Sequence, residues 1–311
     1  MDSAAKILIT GGTGLVGTAL ADALAAHGHS AVVAAGSRDG DLSRFEDAAA
    51  LFDRVRPRFV FHLAAAVYGI MGNLRNKGES FLRNVLINTH VVECCRRVGV
   101  EKLVAMGSGC VYPYPAPAYP MREDMVWQGP PHPSEDSYAH AKRAMLAQLL
   151  AYKESYGTRF AFVISANLYG PHDRFDVENG HVTPALVRKF HEARGSGEDV
   201  VVWGDGTSQR DFMYATDTAE ALIAVMRSIE GPVNFGSGRV HAIRELVEVL
   251  AELTGLEGRV RWDPTRPNGQ AYRSYDLSKL SGTGFQPHVG LAEGLRRTYE
   301  WYAAHVAEAR R

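Results

Sequence analysis

The stretch Lys6-Ile7-Leu8-Ile9-Thr10-Gly11-Gly12-Thr13-Gly14-Leu15-Val16-Gly17 runs from a short apolar strand directly into a glycine-rich turn and then a helical pattern, Val16 to Ala26. A chain that turns this sharply, and whose backbone must approach a diphosphate closely, needs residues without side chains at the turn. The helix N-terminus that follows is already suited to an anion. Gly11, Gly14 and Gly17 give a GxxGxxG spacing, which differs from the GxGxxG of many dinucleotide sites. A glycine motif alone is weak evidence. At the first strand-to-helix junction of an alternating chain we read it as cofactor-binding, with Leu15 and Val16 opening the helix.

The alternation extends outward from this point. Strand-like runs at Ala31 to Ala35, Phe59 to Leu63, Lys102 to Met106 and Phe160 to Ile164 alternate with helical patterns at Arg44 to Arg54, Ser80 to Val98 and Glu135 to Tyr156. Apolar strands of about five residues between helices imply a parallel sheet covered on both faces, a doubly wound α/β domain of Rossmann type. Beyond about residue 166 the rhythm breaks. One strand-like run, Val200 to Trp203, and helical patterns at Thr218 to Ile229, Ile243 to Thr254 and Leu291 to His305 suggest a smaller α/β substrate-binding domain. The expected division is 1–170 for the dinucleotide-binding domain and 171–311 mainly for the second, with segments interleaved.

Composition narrows the function classes. Thirty-four Lys and Arg against thirty-five Asp and Glu leave a net charge of −1, without the basic excess of a nucleic-acid binder. Three cysteines, Cys94, Cys95 and Cys110, make no disulfide framework for 311 residues and no zinc-ligand spacing. A reducing cytoplasm fits them. The N-terminus lacks a basic leader region, and the longest apolar stretch, Phe59 to Leu74, falls short of the roughly 20 residues of a membrane helix. The expected partner is a small molecule, with no metal.

The second strand is followed by Gly36-Ser37-Arg38-Asp39. An acidic residue at that strand's end would grip a ribose 2′-hydroxyl, whereas the planar guanidinium of Arg38 suits a 2′-phosphate. Asp39 follows at once, and Arg38 also reads as a solvated loop charge. We favour NADP over NAD, with Asp41 and Leu42 on the same loop as further cofactor candidates.

Ser137-Tyr138-Ala139-His140-Ala141-Lys142 sets a tyrosine and a lysine one helical turn apart, on one face. A phenol ionising near pH ~10 is a poor acid–base group at neutrality, but a nearby cation favours its phenolate. Ser108 lies just past the strand ending at Met106, where open α/β sheets bind ligands, and Met106 and Gly107 join the cofactor candidates there. Together Ser108, Tyr138 and Lys142 resemble the Ser–Tyr–Lys set of the short-chain dehydrogenase/reductases, in their extended, sugar-nucleotide-modifying branch.

The resemblance narrows on four segments: Gly107-Ser108-Gly109-Cys110-Val111-Tyr112-Pro113, Asn167-Leu168-Tyr169-Gly170-Pro171-His172-Asp173, Gly180-His181-Val182-Thr183-Pro184-Ala185-Leu186 and Val202-Trp203-Gly204. These look like the GDP-L-fucose synthase family, over a similarity from Ile7 to about Tyr302. The resemblance implies conversion of GDP-4-keto-6-deoxy-D-mannose to GDP-L-fucose, by epimerisation at C3 and C5 and reduction at C4 with NADPH. It implies Cys110 as base and His181 as acid, with Ser108 and Tyr138 on the C4 oxygen and Lys142 on the nicotinamide ribose. Thiol and imidazole both ionise close enough to neutrality to exchange protons. Ser165, Asn167 and Leu168 match a stretch near the nicotinamide, and Lys189, Trp203 and Arg210 match positions contacting the substrate nucleotide. A homodimer pairing through the helices at Ser80 to Val98 and Glu135 to Tyr156 follows from the wider family.

Three departures bear on the sugar. Pro267-Asn268-Gly269 replaces Pro-Asp-Gly, Val67-Tyr68-Gly69 replaces Val-Gly-Gly, and Ser165-Ala166 replaces Pro-Thr. Reduction or epimerisation of another GDP-keto sugar, such as a heptose, is the nearest alternative. A non-catalytic dinucleotide-sensing regulator is the alternative of another class, one that commonly loses the Tyr/Lys pair kept here. Dehydratases of this branch carry an acid where Gly109 stands, which argues against dehydration.

Overall fold

A computed structural model describes residues 1–266 and 268–310. Strands β1 (Ile7–Thr10), β3 (Phe59–His62), β4 (Lys102–Met106) and β5 (Phe160–Ser165) are buried at every position, as strands covered on both faces must be. Strand β2 (Val32–Ala35) differs: it is the edge of the sheet, and its two central residues are exposed. After β5 come β6 (Asn167–Tyr169), β7 (Val200–Trp203) and β8 (Gln209–Tyr214), then β9 (Gly231–Phe235), β10 (Val240–Ala242) and β11 (Val260–Asp263).

The large sheet has the order β2-β1-β3-β4-β5-β9, with every pair parallel. The chain leaves β1 toward β2 and then crosses back past β1 to β3, so the direction of winding reverses between β1 and β3. A ligand crevice opens outside the carboxyl ends of the strands at such a point.

Helices α1 (Leu15–Ala26), α2 (Phe45–Val55), α3 (Ile70–Arg75), α4 (Lys77–Val98) and α5 (Asp136–Tyr156) belong to this half. Residues of α2, α4 and α5 pack one face, around Phe52, Val92 and Leu146. The other face is closed by α1 together with α7 (Ala215–Ser228), around Leu20 and Leu222. The helical pattern expected from Thr218 thus begins three residues earlier, because Tyr214 at the end of β8 is its N-cap. Lys102, buried on β4, donates to the carbonyls of Val225 (3.1 Å) and Met226 (2.6 Å) near the end of α7. A cation there suits the helix dipole.

Helix α7 therefore packs against the first sheet and β9 extends it beside β5, while β6 pairs instead with β8, which β10 joins in a three-stranded sheet. A further pair, β7 and β11, is parallel. These strands, with α6 (Val182–Ser196), α8 (Ile243–Thr254) and α10 (Leu291–Ala304), enclose a separate core around Phe190, Leu250 and Tyr302. A short helix, α9 (Ser278–Ser281), packs beside β9. Buried Asn234 on β9 ties the parts together. It accepts from Tyr112 Oη at 2.5 Å and donates to the carbonyls of Met121 and Asp276. Among the described residues no helix is long and apolar enough to cross a membrane.

Candidate active site

A cleft of about 830 Å³ opens at the carboxyl ends of β1, β3, β4 and β5. Its floor is the glycine turn. Gly11 is left-handed (φ +71°), and a Cβ there would lie 2.8 Å from the Ala64 nitrogen. A Cβ on Gly17 would meet Gly12 Cα at 2.6 Å, so α1 can start this close to the turn only with glycine at that position. Gly14 caps α1 without a side-chain hydrogen bond, and Gly14, Leu15 and Val16 line the cleft. The donors of the helix's first turn lack side-chain acceptors, so a dinucleotide's diphosphate fits here.

The outer rim carries Gly36, Ser37, Gly40, Asp41 and Leu42. Asp39 is turned onto its own loop, accepting from the Gly36 nitrogen at 2.9 Å and pairing with Arg54 at 3.4 Å. Asp41 accepts from both the nitrogen and the hydroxyl of Ser43, which lowers its pKa. Arg38 is exposed beside Ser37 and makes no ion pair among the described residues. It stands at the rim and does not line the cleft.

Deeper in, Ser108, Cys110, Tyr138, Lys142 and His181 line the same cavity with Met106, Gly107, Ser165, Asn167 and Leu168. Ser108 caps a short helical turn after β4, its hydroxyl oxygen accepting from the Cys110 nitrogen at 3.4 Å. Lys142 is buried on α5; its Nζ donates to the Met106 carbonyl at 2.8 Å and lies 5.6 Å from the Tyr138 ring centroid. Burial lowers the pKa of Lys142 to about 8. Burial, then the charges of Cys110 and Glu135, push the Tyr138 phenol upward. Burial also pushes the Cys110 thiol up to about 12, with Glu135 adding to the rise and Arg273 and Lys142 opposing it. His181 enters from the opposite wall as the N-cap of α6 and is exposed in the cleft. Ser165 to Leu168 sit where β5 passes into β6, at the seam between the two sheets.

Several lining residues escaped the sequence reading. Glu135, just before α5, forms a buried ion pair with Arg273 beside Cys110. Its spacing from Tyr138 put it on the catalytic face of the helix, a signal that was available. Arg273 had none, since its partner is 138 residues away. Asp173 is buried, with one carboxylate oxygen accepting from the Arg174 nitrogen at 2.7 Å and the other unpartnered. Gly109 packs against Tyr275, whose Cζ would lie 2.9 Å from a Cβ there. No side chain fits at that position while the tyrosine is in place.

The structure does not bring Lys189, Trp203 and Arg210 into this cleft. The Lys189 ammonium and the Arg266 guanidinium lie 5.0 and 5.1 Å from the Trp203 ring centroid, an aromatic ring flanked by cations. Arg210 donates to the Gln270 carbonyl, and Arg273 acts on it electrostatically. Asn268 Oδ1 accepts from the Asp205 nitrogen at 3.0 Å, a role an amide oxygen fills as well as a carboxylate; Pro267 lies outside the described residues. Tyr68 lines the cleft. His62 is a core histidine, held by Thr10 at 2.8 Å and Asn88 at 3.1 Å. No metal-binding cluster occurs among the described residues.

Residues 7–236 match the NAD dependent epimerase/dehydratase family. The chain belongs to that family. It is 39% identical over 314 residues to a probable GDP-L-fucose synthase 1 from Oryza sativa subsp. japonica, covering 100% of this chain and 95% of the relative. Its fold superposes on a GDP-L-fucose synthetase from Naegleria fowleri bound to NADP, with TM-score 0.93, 31% identity and coverage of 100% and 98% of the two chains. A GDP-6-OMe-4-keto-L-xylo-heptose reductase from C. jejuni is also similar, with TM-score 0.91 and 28% identity over 98% of this chain and 99% of that one.

Proposed function

We propose that this member of the family is an NADPH-dependent 3,5-epimerase and 4-reductase that converts GDP-4-keto-6-deoxy-D-mannose to GDP-L-fucose. The observation that carries the reading is that Cys110 and His181 line one cleft with Ser108, Tyr138 and Lys142. A plain reductase needs only the last three. Inverting a carbon centre needs a base on one face and an acid on the other.

A ketone at C4 acidifies the protons on C3 and C5, so each centre inverts through an enolate. Ser108 and Tyr138 donate to the C4 oxygen, Cys110 removes the proton, and His181 returns one to the opposite face. Burial holds the thiol neutral, and Arg273 and Lys142 are the cations that favour its ionised form. The glycine turn and the rim would hold NADPH, whose chemistry there would be hydride donation to C4. Tyr138 then protonates that oxygen. Its raised pKa keeps the phenol protonated until this step, and Lys142 stabilises the phenolate left behind. Lys189, Trp203 and Arg210 bind the nucleotide, with Trp203 offering a base-stacking face. Within the same reading the enzyme is a cytoplasmic homodimer pairing through α4 and α5, where Phe81 and Leu82 are exposed.

A second reading, 4-reduction of a GDP-keto-heptose, is favoured by Tyr68 in the cleft and by the likeness to the C. jejuni reductase. Turnover of GDP-4-keto-6-deoxy-D-mannose with NADPH in deuterated water separates the two. GDP-L-fucose carrying deuterium at C3 and C5 is the expected product. Reduction without label favours the second reading, and absence of turnover removes the first.

A further inference from the structure

The segment after α10 returns to the cofactor half of the molecule. Ala309 is buried and its nitrogen donates to the His305 carbonyl at 2.9 Å, while the Arg310 carbonyl accepts from the Phe175 nitrogen at 2.8 Å. The backbone of Arg310 is thereby bridged to that of Arg174. Its side chain reaches on and donates to the carbonyl of His172, a residue whose own backbone is left-handed (φ +63°). The guanidinium ends against the glycine turn, with Nη2 and Nη1 at 3.7 and 3.8 Å from where a Cβ of Gly14 would stand.

Arg310 makes no ion pair among the described residues, and the acid that acts on it, Asp173, stands beyond ion-pair reach and is itself buried. Desolvation lowers the pKa of Arg310, with Asp173 opposing the shift and Arg174 adding to it. An exposed guanidinium thus meets the uncapped, positive end of α1 inside the cleft that both line. Two like-signed features converging on one spot disfavour each other modestly and both gain from an anion placed between them. A guanidinium fork and a helix N-terminus are complementary ligands for phosphate oxygens.

We propose that Arg310 is a diphosphate-binding residue of the cofactor site, delivered to the glycine turn by the carboxyl-terminal segment. The inference rests on the dinucleotide reading above and adds a residue that the glycine motif does not contain. Because the arginine is fixed at its backbone and at His172, it is preorganised for the ligand. It acts on the diphosphate common to phosphorylated and unphosphorylated dinucleotides, so it adds affinity without choosing between them.

The test is direct titration of the purified protein with NADPH, ADP-ribose (a diphosphate without the 2′-phosphate) and adenosine 2′-monophosphate (the reverse). Arg310→Ala is expected to weaken NADPH and ADP-ribose about tenfold or more and to leave the monophosphate within about twofold. Arg310→Lys should recover part of the loss, since charge returns without the fork. Thermal unfolding checks that both variants fold. Unchanged ADP-ribose affinity in folded Arg310→Ala overturns the proposal. So does an equal loss for all three ligands, which would make the residue a structural fastener. Wild-type protein that binds neither NADPH nor ADP-ribose overturns the dinucleotide reading itself, a result distinct from both.

Discussion

At its cofactor end the cleft is made mainly of backbone: glycines that clear a path, and the free donors of one helix turn, contributed by the run Gly11 to Gly17, with Arg310 the side chain that reaches it from afar. At its sugar end it is made of side chains gathered from distant segments, with Cys110 after β4, Tyr138 and Lys142 on α5, His181 at the start of α6 and Arg273 beyond β11. The first kind of site recognises a shape shared by many ligands. The second places proton donors and acceptors around one substrate, so its variants should change the chemistry while leaving cofactor binding alone.

The sharpest way to break this contrast is Tyr138→Phe. NADPH oxidation with the keto sugar should fall about 10³-fold while the NADPH dissociation constant stays within about twofold; equal losses in both would erase the distinction. Cys110→Ser should slow deuterium entry at C3 and C5 by about 10²-fold, with a smaller effect on reduction of an already epimerised intermediate. In the wild type, exchange should still be rising at pH about 9, because burial holds the thiol neutral and its reactive ionised form grows as pH climbs toward about 12. A plateau at neutrality would count against Cys110 as the base.

At the other end, Gly17→Ala drives a methyl group into backbone, 2.6 Å from Gly12 Cα. NADPH affinity should drop about 100-fold, and isothermal titration would reveal whether the turn tolerates the change. Arg38→Ala should be the mildest, weakening NADPH about tenfold and leaving NADH untouched. Parallel losses for both nucleotides would take Arg38 off the 2′-phosphate.

The same contrast explains what could be read in advance. The glycine turn and the Tyr138/Lys142 pair are local patterns, and the helix or turn that carries each fixes its geometry. The Glu135–Arg273 and Arg310–His172 contacts each span 138 residues, so no window of sequence contains them. Of the small strands of the second half only β7, the apolar run Val200–Trp203, was legible. β6 and β10 have three residues each, and the partly exposed β11 lacks the continuous apolar signature of β3 to β5. The apolar residues among 215–235 cover and extend the first sheet, a long-range return that periodicity does not record.

The packing of Tyr275 against Gly109 also constrains how this lineage can change. An acid beside Ser108 would move the site toward dehydration, yet the first such mutation would push against the buried ring before any new chemistry could help. Tyr275 would have to shrink first, and that step alone leaves a void next to Gly109. The two changes have value only together and in a set order. A designer attempting the switch should begin at position 275.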